Sequence, residues 1–209
     1  MVLDEGGSIR GSDKQESLMR DILPESGRIR KLGSGETDIY REHLLRLDAH
    51  ARRCRFGAGV SDEFVTGYVA MANGLDCVIH GFFVDGILRG AGELRPLGPA
   101  FSGEAEAAFS IENPWQSHGV GTALLARTLL AARNRGFKFL HMACLADNRR
   151  MQQLARKFDA ELSFDFGTVV GELESPHPTP LSVMRELVAD TTGFATAMLD
   201  VQSRLLRPA

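Results

Sequence analysis

Apolar positions in this chain follow two different periods, and the switches between them divide it into elements. Alternating or short continuous apolar runs predict strands at Arg28–Leu32, Asp76–Val84, Ile87–Pro96, Gly103–Glu112, Phe137–Cys144, Leu162–Phe166 and Thr168–Glu174. Helical spacing predicts a helix opening at Thr37 or Asp38 and carrying Leu44, Leu45 and Leu47. It predicts others from Ser61 to Ala72, from Val120 to Arg133 and from Asn148 to Phe158. Arg52–Val60, basic and glycine-bearing, reads as a connection. The order is β-α-α-β-β-β-α-β-α-β-β, an α/β (α+β) arrangement.

The punctuation agrees with these periods. Asp85-Gly86 between two strands suits a two-residue turn with positive φ angles, and Gly136 suits a helix stop. Residues 1–27 are rich in Gly, Ser and charge and read as a flexible tail. The folded domain then spans 28–174, and 175–209 is a Pro-rich linker followed by a further helix. In that last helix Leu181, Met184, Leu187, Val188, Thr191, Phe194, Met198 and Leu205 share one face. Three roles stay open for it: packing on its own domain, a homodimer contact, or a lid.

Composition narrows the function classes. A net charge of -3 in 209 residues gives no surface for nucleic acid and no polybasic membrane anchor. No apolar run is long enough to span a bilayer. Cys54, Cys77 and Cys144 lack metal-ligand spacing and read as free thiols, so a cytoplasmic location and no metal are expected. The stretch Trp115 to Thr122 sits between a strand and a helix. Its glycines allow close backbone approach, and the helix start aims unpaired N–H groups and a positive dipole end forward. That is an anion site, suited to a pyrophosphate.

Gln116-Ser117-His118-Gly119-Val120-Gly121, after a strand and opening a helix, resembles the acyl-CoA signature of the Gcn5-related N-acetyltransferases (GNAT family). That signature runs Gln or Arg, two residues, Gly, any residue, then Gly or Ala. A second match follows, where Asn148 leads the run to Phe158 after the next strand. The resemblance implies a mixed, splayed central sheet flanked by helices, with acetyl-CoA as acyl donor held in the splay. It implies cofactor contacts from Ser110, Ile111, Gln116, Ser117, His118, Gly119, Val120, Gly121, Thr122 and Asn148. It also implies that a backbone N–H of the strand before Gln116 polarises the thioester oxygen. Asn148 is equally placed to cap the helix that it opens.

The acceptor is then an amine. A lysine-like amine has a pKa of about 10.4, so deprotonation at neutral pH costs roughly 4 to 5 kcal/mol and a base helps. Glu106, a carboxylate in mid-strand, is the candidate catalytic base, and Glu104 shares its parity. Ala105-Glu106-Ala107-Ala108-Phe109 is similar to the segment that carries the proposed base in bacterial protein-lysine acetyltransferases. Many family members place a tyrosine in the asparagine-led helix as general acid. The matching position here is Ala155. The expected function is acetyl transfer to a primary amine by direct attack in a ternary complex, with a protein lysine favoured over a small amine. A non-catalytic acyl-CoA-binding or partner-binding module on the same fold is the alternative.

Overall fold

The computed structural model describes residues 27–72, 77–99 and 102–191. The strands are β1 (Gly27–Lys31), β2 (Val78–Val84), β3 (Ile87–Leu97), β4 (Glu104–Ile111), β5 (Phe139–Leu145), β6 (Glu161–Asp165) and β7 (Thr168–Glu174). They form one seven-stranded sheet in the order β1-β2-β3-β4-β5-β7-β6. Every neighbouring pair is antiparallel except β4 and β5. The helices are α1 (Thr37–Arg46), α2 (Ala49–Phe56), α3 (Asp62–Ala72), α4 (Val120–Asn134), α5 (Arg149–Lys157) and α6, residues 180–191. This is the mixed, helix-flanked sheet that the sequence resemblance implies.

Helix α2 corrects the reading of 52–60 as a connection. The helix has ends that charge patterning concealed. Asp48 caps it, its side chain accepting from the Ala51 N–H at 2.7 Å, and Gly57 closes it at φ 77°. Four basic or histidine side chains in a short run hid a helix whose buried surface is small. The β2–β3 hairpin is as expected, with Asp85 and Gly86 at φ 50° and 72°, the pair of left-handed residues that a tight hairpin turn needs. Strand ends elsewhere differ from the sequence reading by one or two residues, the usual ambiguity of fraying termini.

The two sheet faces carry separate cores. On one, α4 lays Leu125 and Leu129 against Leu94, Ala105, Ala107 and Leu140, and Leu124 against Phe82 and Val84. Leu124 and Leu125 are wholly buried, each stabilising by about 1.5 to 3 kcal/mol. On the other, Tyr40, Leu44 and Leu47 of α1 and its exit meet Val65 and Val69 of α3 over Phe83, Leu88 and Ala91. Helix α6 settles part of the question about the C-terminal face. It docks on the end of α4 through polar groups: Arg135 meets Glu186 at 2.7 Å and Asn134 donates to the Ser182 carbonyl at 3.0 Å. Its apolar residues Leu181, Met184, Leu187 and Val188 lie at the surface. Phe194, Met198 and Leu205 lie outside the described residues, as does the expected tail of 1–27 except Gly27, which opens β1. No helix among the described residues is long and apolar enough to cross a membrane.

Candidate active site

The site begins where two strands part. β4 and β5 pair in parallel only at Glu104–Phe139, Ala105–Leu140 and Glu106–His141. Beyond Glu106, β4 continues to Ile111 held by β3 alone, while β5 continues to Leu145 held by β7. The ladder fixes which backbone groups face the gap. Glu112 N–H donates to the Arg89 carbonyl of β3 at 2.9 Å, whereas the Gly103 carbonyl accepts from Lys138 and Phe139 on the β5 side. Alternation along β4 therefore turns the main chain of Ser110 toward β3 and that of Phe109 and Ile111 into the gap. Gln116 confirms the direction, its side-chain amide donating to the Ile111 carbonyl at 2.8 Å.

The gap opens into a cavity of about 430 Å³. Ser110 and Ile111 of β4 line it, with Gln116, Ser117 and Gly119 of the turn and Gly121 and Thr122 of α4. Asn148, Arg150 and Lys157 close the far wall, and His50, Ala51 and Cys54 of α2 close the side nearest α1. The turn is built for close approach: Ser117 and Gly119 both take left-handed backbone, at φ 64° and 77°. Ala123 N–H is bonded back to the Gly119 carbonyl at 3.0 Å, so the N–H groups of the first turn before it point onward without helical acceptors. With the dipole, that end attracts an anion. Lys157 adds charge beside it, donating to Thr122 Oγ1 at 3.3 Å, and Arg150 donates to Gln116 Oε1.

Other sequence-selected residues are placed differently. Val120 is buried in the α4 core at 1% exposure, which leaves only its main chain for a ligand. His118 is exposed and turns back to the Gln116 carbonyl at 2.6 Å. Asn148 lines the cavity while its Oδ1 accepts from the Met151 N–H at 3.2 Å, capping α5. Glu106 lies outside the cavity lining, at the last β4–β5 pair, on the same face of β4 as Ser110. Its register neighbours are Arg95 on β3 and His141 on β5; His141 in turn is level with Glu172 of β7, and Glu172 with Glu161 of β6. Ala155 is buried at 3%, so α5 offers no acid at that position. Cys144 is buried outside the cavity, and burial pushes its thiol up, as befits a packing residue.

One group beside the cavity escaped the sequence reading. His43 of α1 is fully buried, with Nε2 at 2.9 Å from Ser110 Oγ and Nδ1 at 3.4 Å from Glu112 Oε1. Arg46 and Arg89 also bind Glu112, at 3.0 and 2.9 Å. Burial pushes the Glu112 carboxyl up, but hydrogen bonds from His43, Arg89 and Arg46 outweigh it and hold it at about 2. Burial lowers the proton affinity of His43 below the usual histidine range despite Glu112. The available signal was a histidine on the buried stripe of a helix, with Tyr40 one turn before it and Leu44 next to it.

A model of the acetyltransferase (GNAT) family matches residues 19–160. Among solved structures, the GNAT domain of PAT from S. lividans is similar at TM-score 0.62 and 22% identity, over 71% of this chain and 90% of that one. YncA from Salmonella typhimurium, solved with its cofactor acetyl-CoA, is similar at TM-score 0.55 and 17% identity, over 75% and 98%. PaiA N-acetyltransferase from Thermoplasma acidophilum, in complex with coenzyme A, is similar at TM-score 0.54 and 16% identity, over 71% and 99%. With its family match over most of the length, this chain belongs to the acetyltransferase (GNAT) family and is an acyltransferase.

Proposed function

We propose that the protein transfers the acetyl group of acetyl-CoA to a primary amine by direct attack in a ternary complex, with a protein lysine as the favoured acceptor. The observation that carries this reading is the parting of β4 from β5 in front of the α4 N-terminus. An extended pantetheine arm suits the main chain that Phe109 and the Ile111 N–H turn into the gap, as an added strand would, beside the Ile111 carbonyl that Gln116 already occupies. A diphosphate suits the N–H groups from Gly119 to Thr122, with Lys157 and Arg150 nearby. The Ile111 or Phe109 N–H is the group to polarise the thioester oxygen.

Glu106 takes the role of base for a charged amine arriving along the open face of the sheet. That face is acidic: Glu104 and Glu172 lie 3.4 and 3.6 Å from the His141 ring, Glu106 is level with His141 on β4, and Glu161 is level with Glu172 on β6. It favours a cationic acceptor, lysine side chain or polyamine, over a neutral one. The surface apolar stripe of α6 fits a second copy of the chain, and three free cysteines fit a reducing, cytoplasmic setting.

Calorimetric titration with acetyl-CoA tests the donor. The parent should bind, and Gly119→Glu, which puts a carboxylate and a strained φ at the anion site, should bind at least about 100-fold more weakly, or about 2.7 kcal/mol. Turnover on a lysine peptide then tests the base. Glu106→Gln should keep acetyl-CoA affinity and lose about 100-fold or more in kcat near neutral pH, recovering partly as pH rises toward the pKa of the amine. A folded parent that ignores acetyl-CoA would sink the donor assignment, and unchanged turnover in Glu106→Gln would sink the base.

A further inference from the structure

The acetyl-transfer step handles two protons, and Glu106 accounts for one of them. A charged amine loses its first proton before attack. The adduct that it then forms with the thioester still carries an extra proton on nitrogen, and the departing thiolate needs one. Helix α5 holds no tyrosine to supply it, since the position that would carry one is the buried Ala155. Ser110 stands at the cavity with a hydroxyl already in a directed chain.

The direction of that chain follows from its far end. Glu112, bound by Arg46 and Arg89, is a carboxylate and can only accept. The His43 nitrogen facing it, Nδ1, therefore carries the ring proton. His43 is completely enclosed, and its surroundings are Glu112 from the turn after β4, Arg46 on its own helix, Ser110 on β4 and, through Glu112, Arg89 on β3. A neutral ring with its proton on Nδ1 leaves Nε2 as a lone pair, so the Ser110 hydroxyl donates to it across 2.9 Å. The lone pairs of Ser110 Oγ then remain for the cavity.

We propose that Ser110, oriented by His43 and Glu112, is a catalytic residue that carries the adduct's proton to the departing thiolate. This rests on the acetyltransferase reading above. The amine nitrogen bonds to the thioester carbon and the carbonyl π pair moves onto oxygen. The adduct's N–H proton passes to Ser110 Oγ while the Ser110 proton passes to His43 Nε2, giving an imidazolium paired with Glu112. The oxygen pair then re-forms C=O, the C–S bond breaks with its electrons on sulfur, and the proton returns through Ser110 to sulfur. Amide and thiol are the products, and His43 and Ser110 end as they began. His43 and Glu112 act through Ser110 and are positioning residues.

Two readouts test this on the full chain. Nitrogen NMR of histidine-labelled protein with coenzyme A should show His43 as the Nδ1–H form, with its Nε2 resonance moved in Ser110→Ala. An Nε2–H form would reverse the chain and overturn the proposal. That result needs no turnover and is untouched by Glu106→Gln, so it is independent of the base assignment. With a lysine peptide as probe acceptor, Ser110→Ala should lower kcat by about 10- to 100-fold with KM for acetyl-CoA within about two-fold of the parent. His43→Gln should do the same, and the double variant should be no worse than either single one. Melting curves report whether His43→Gln folds; Ser110→Ala carries the test if it does not. A kcat within about two-fold of the parent in Ser110→Ala, or losses that simply add in the double variant, would overturn it.

Discussion

Two carboxylates, Glu93 and Glu112, are built from the same materials and serve opposite ends. Glu93 of β3 is 2% exposed, and its Oε2 accepts from Tyr40, Tyr68 and Arg55 at 2.8, 2.6 and 2.6 Å while Arg95 holds Oε1 at 2.8 Å. Burial works against its charge, but Arg55 and the hydrogen bonds win and keep its carboxyl below the usual range. This cluster pins α1, α2 and α3 to the sheet and leaves no polar atom facing the cavity. Glu112 sits at the end of β4, with arginines from α1 and β3 and one histidine, and that histidine leads to Ser110 at the cavity. The chemistry of the donors is alike. What differs is what each cluster reaches: Glu112 connects through His43 to Ser110 in the cavity wall, whereas Glu93 and its partners are absent from that wall.

Breaking the first cluster should have the largest effect. Glu93→Ala leaves Arg55, 6% exposed, without its carboxylate, and should cost about 3 to 5 kcal/mol in a denaturant melt. The fraction that stays folded should bind acetyl-CoA much as before. Glu112→Gln keeps an acceptor for His43, Arg46 and Arg89 and should cost only about 1 to 3 kcal/mol, but its kcat should fall with that of Ser110→Ala. Equal stability losses in the two variants, with kcat unmoved in the second, would erase the difference between the two clusters.

The smallest effect is a slope. Burial lowers the pKa of His80 to about 3, and that of His43 also falls. In the unfolded chain these rings protonate near pH 6.5, so below that pH the unfolded state binds more protons and stability declines as pH falls. One such group contributes about 1.4 kcal/mol per pH unit. The contribution of Glu112, held at about 2, is present above the usual carboxylate range and is lost in the same direction, from about pH 4.5 downward. Melting free energies of His80→Leu should therefore flatten between pH 6.5 and 4.5 relative to the parent. An unchanged slope would mean that the enclosed His80 does not stay neutral.

Much of this was legible along the chain because it is local. The turn from Gln116 to Gly121, the asparagine opening α5 and the Asp85-Gly86 hairpin each depend on residues within a few positions of one another. Helix α2 was missed although its cap and stop, Asp48 and Gly57, were in plain view, because its basic residues spoke louder than its ends. The tyrosines Tyr40 and Tyr68 gave no sign of their joint partner, which lies fifty-three and twenty-five positions away in β3. The described part of the C-terminal stripe, Leu181, Met184, Leu187 and Val188, had the right period and lies at the surface, since α6 docks through Asn134, Arg135, Ser182 and Glu186 instead.

The sequence by itself determined the family, the order of the strands and the glycine turn that opens α4, since periodicity and turn chemistry are set by neighbours in the chain. Only the tertiary structure decided that Phe109 and Ile111 offer their backbone to the gap, that Glu106 stands outside it, and that His43 reaches Ser110. Ladder register and helix docking decide these. They depend on pairings between β3 and β4 and on the seating of α1 over β4, contacts between residues up to sixty-nine positions apart that no local pattern encodes.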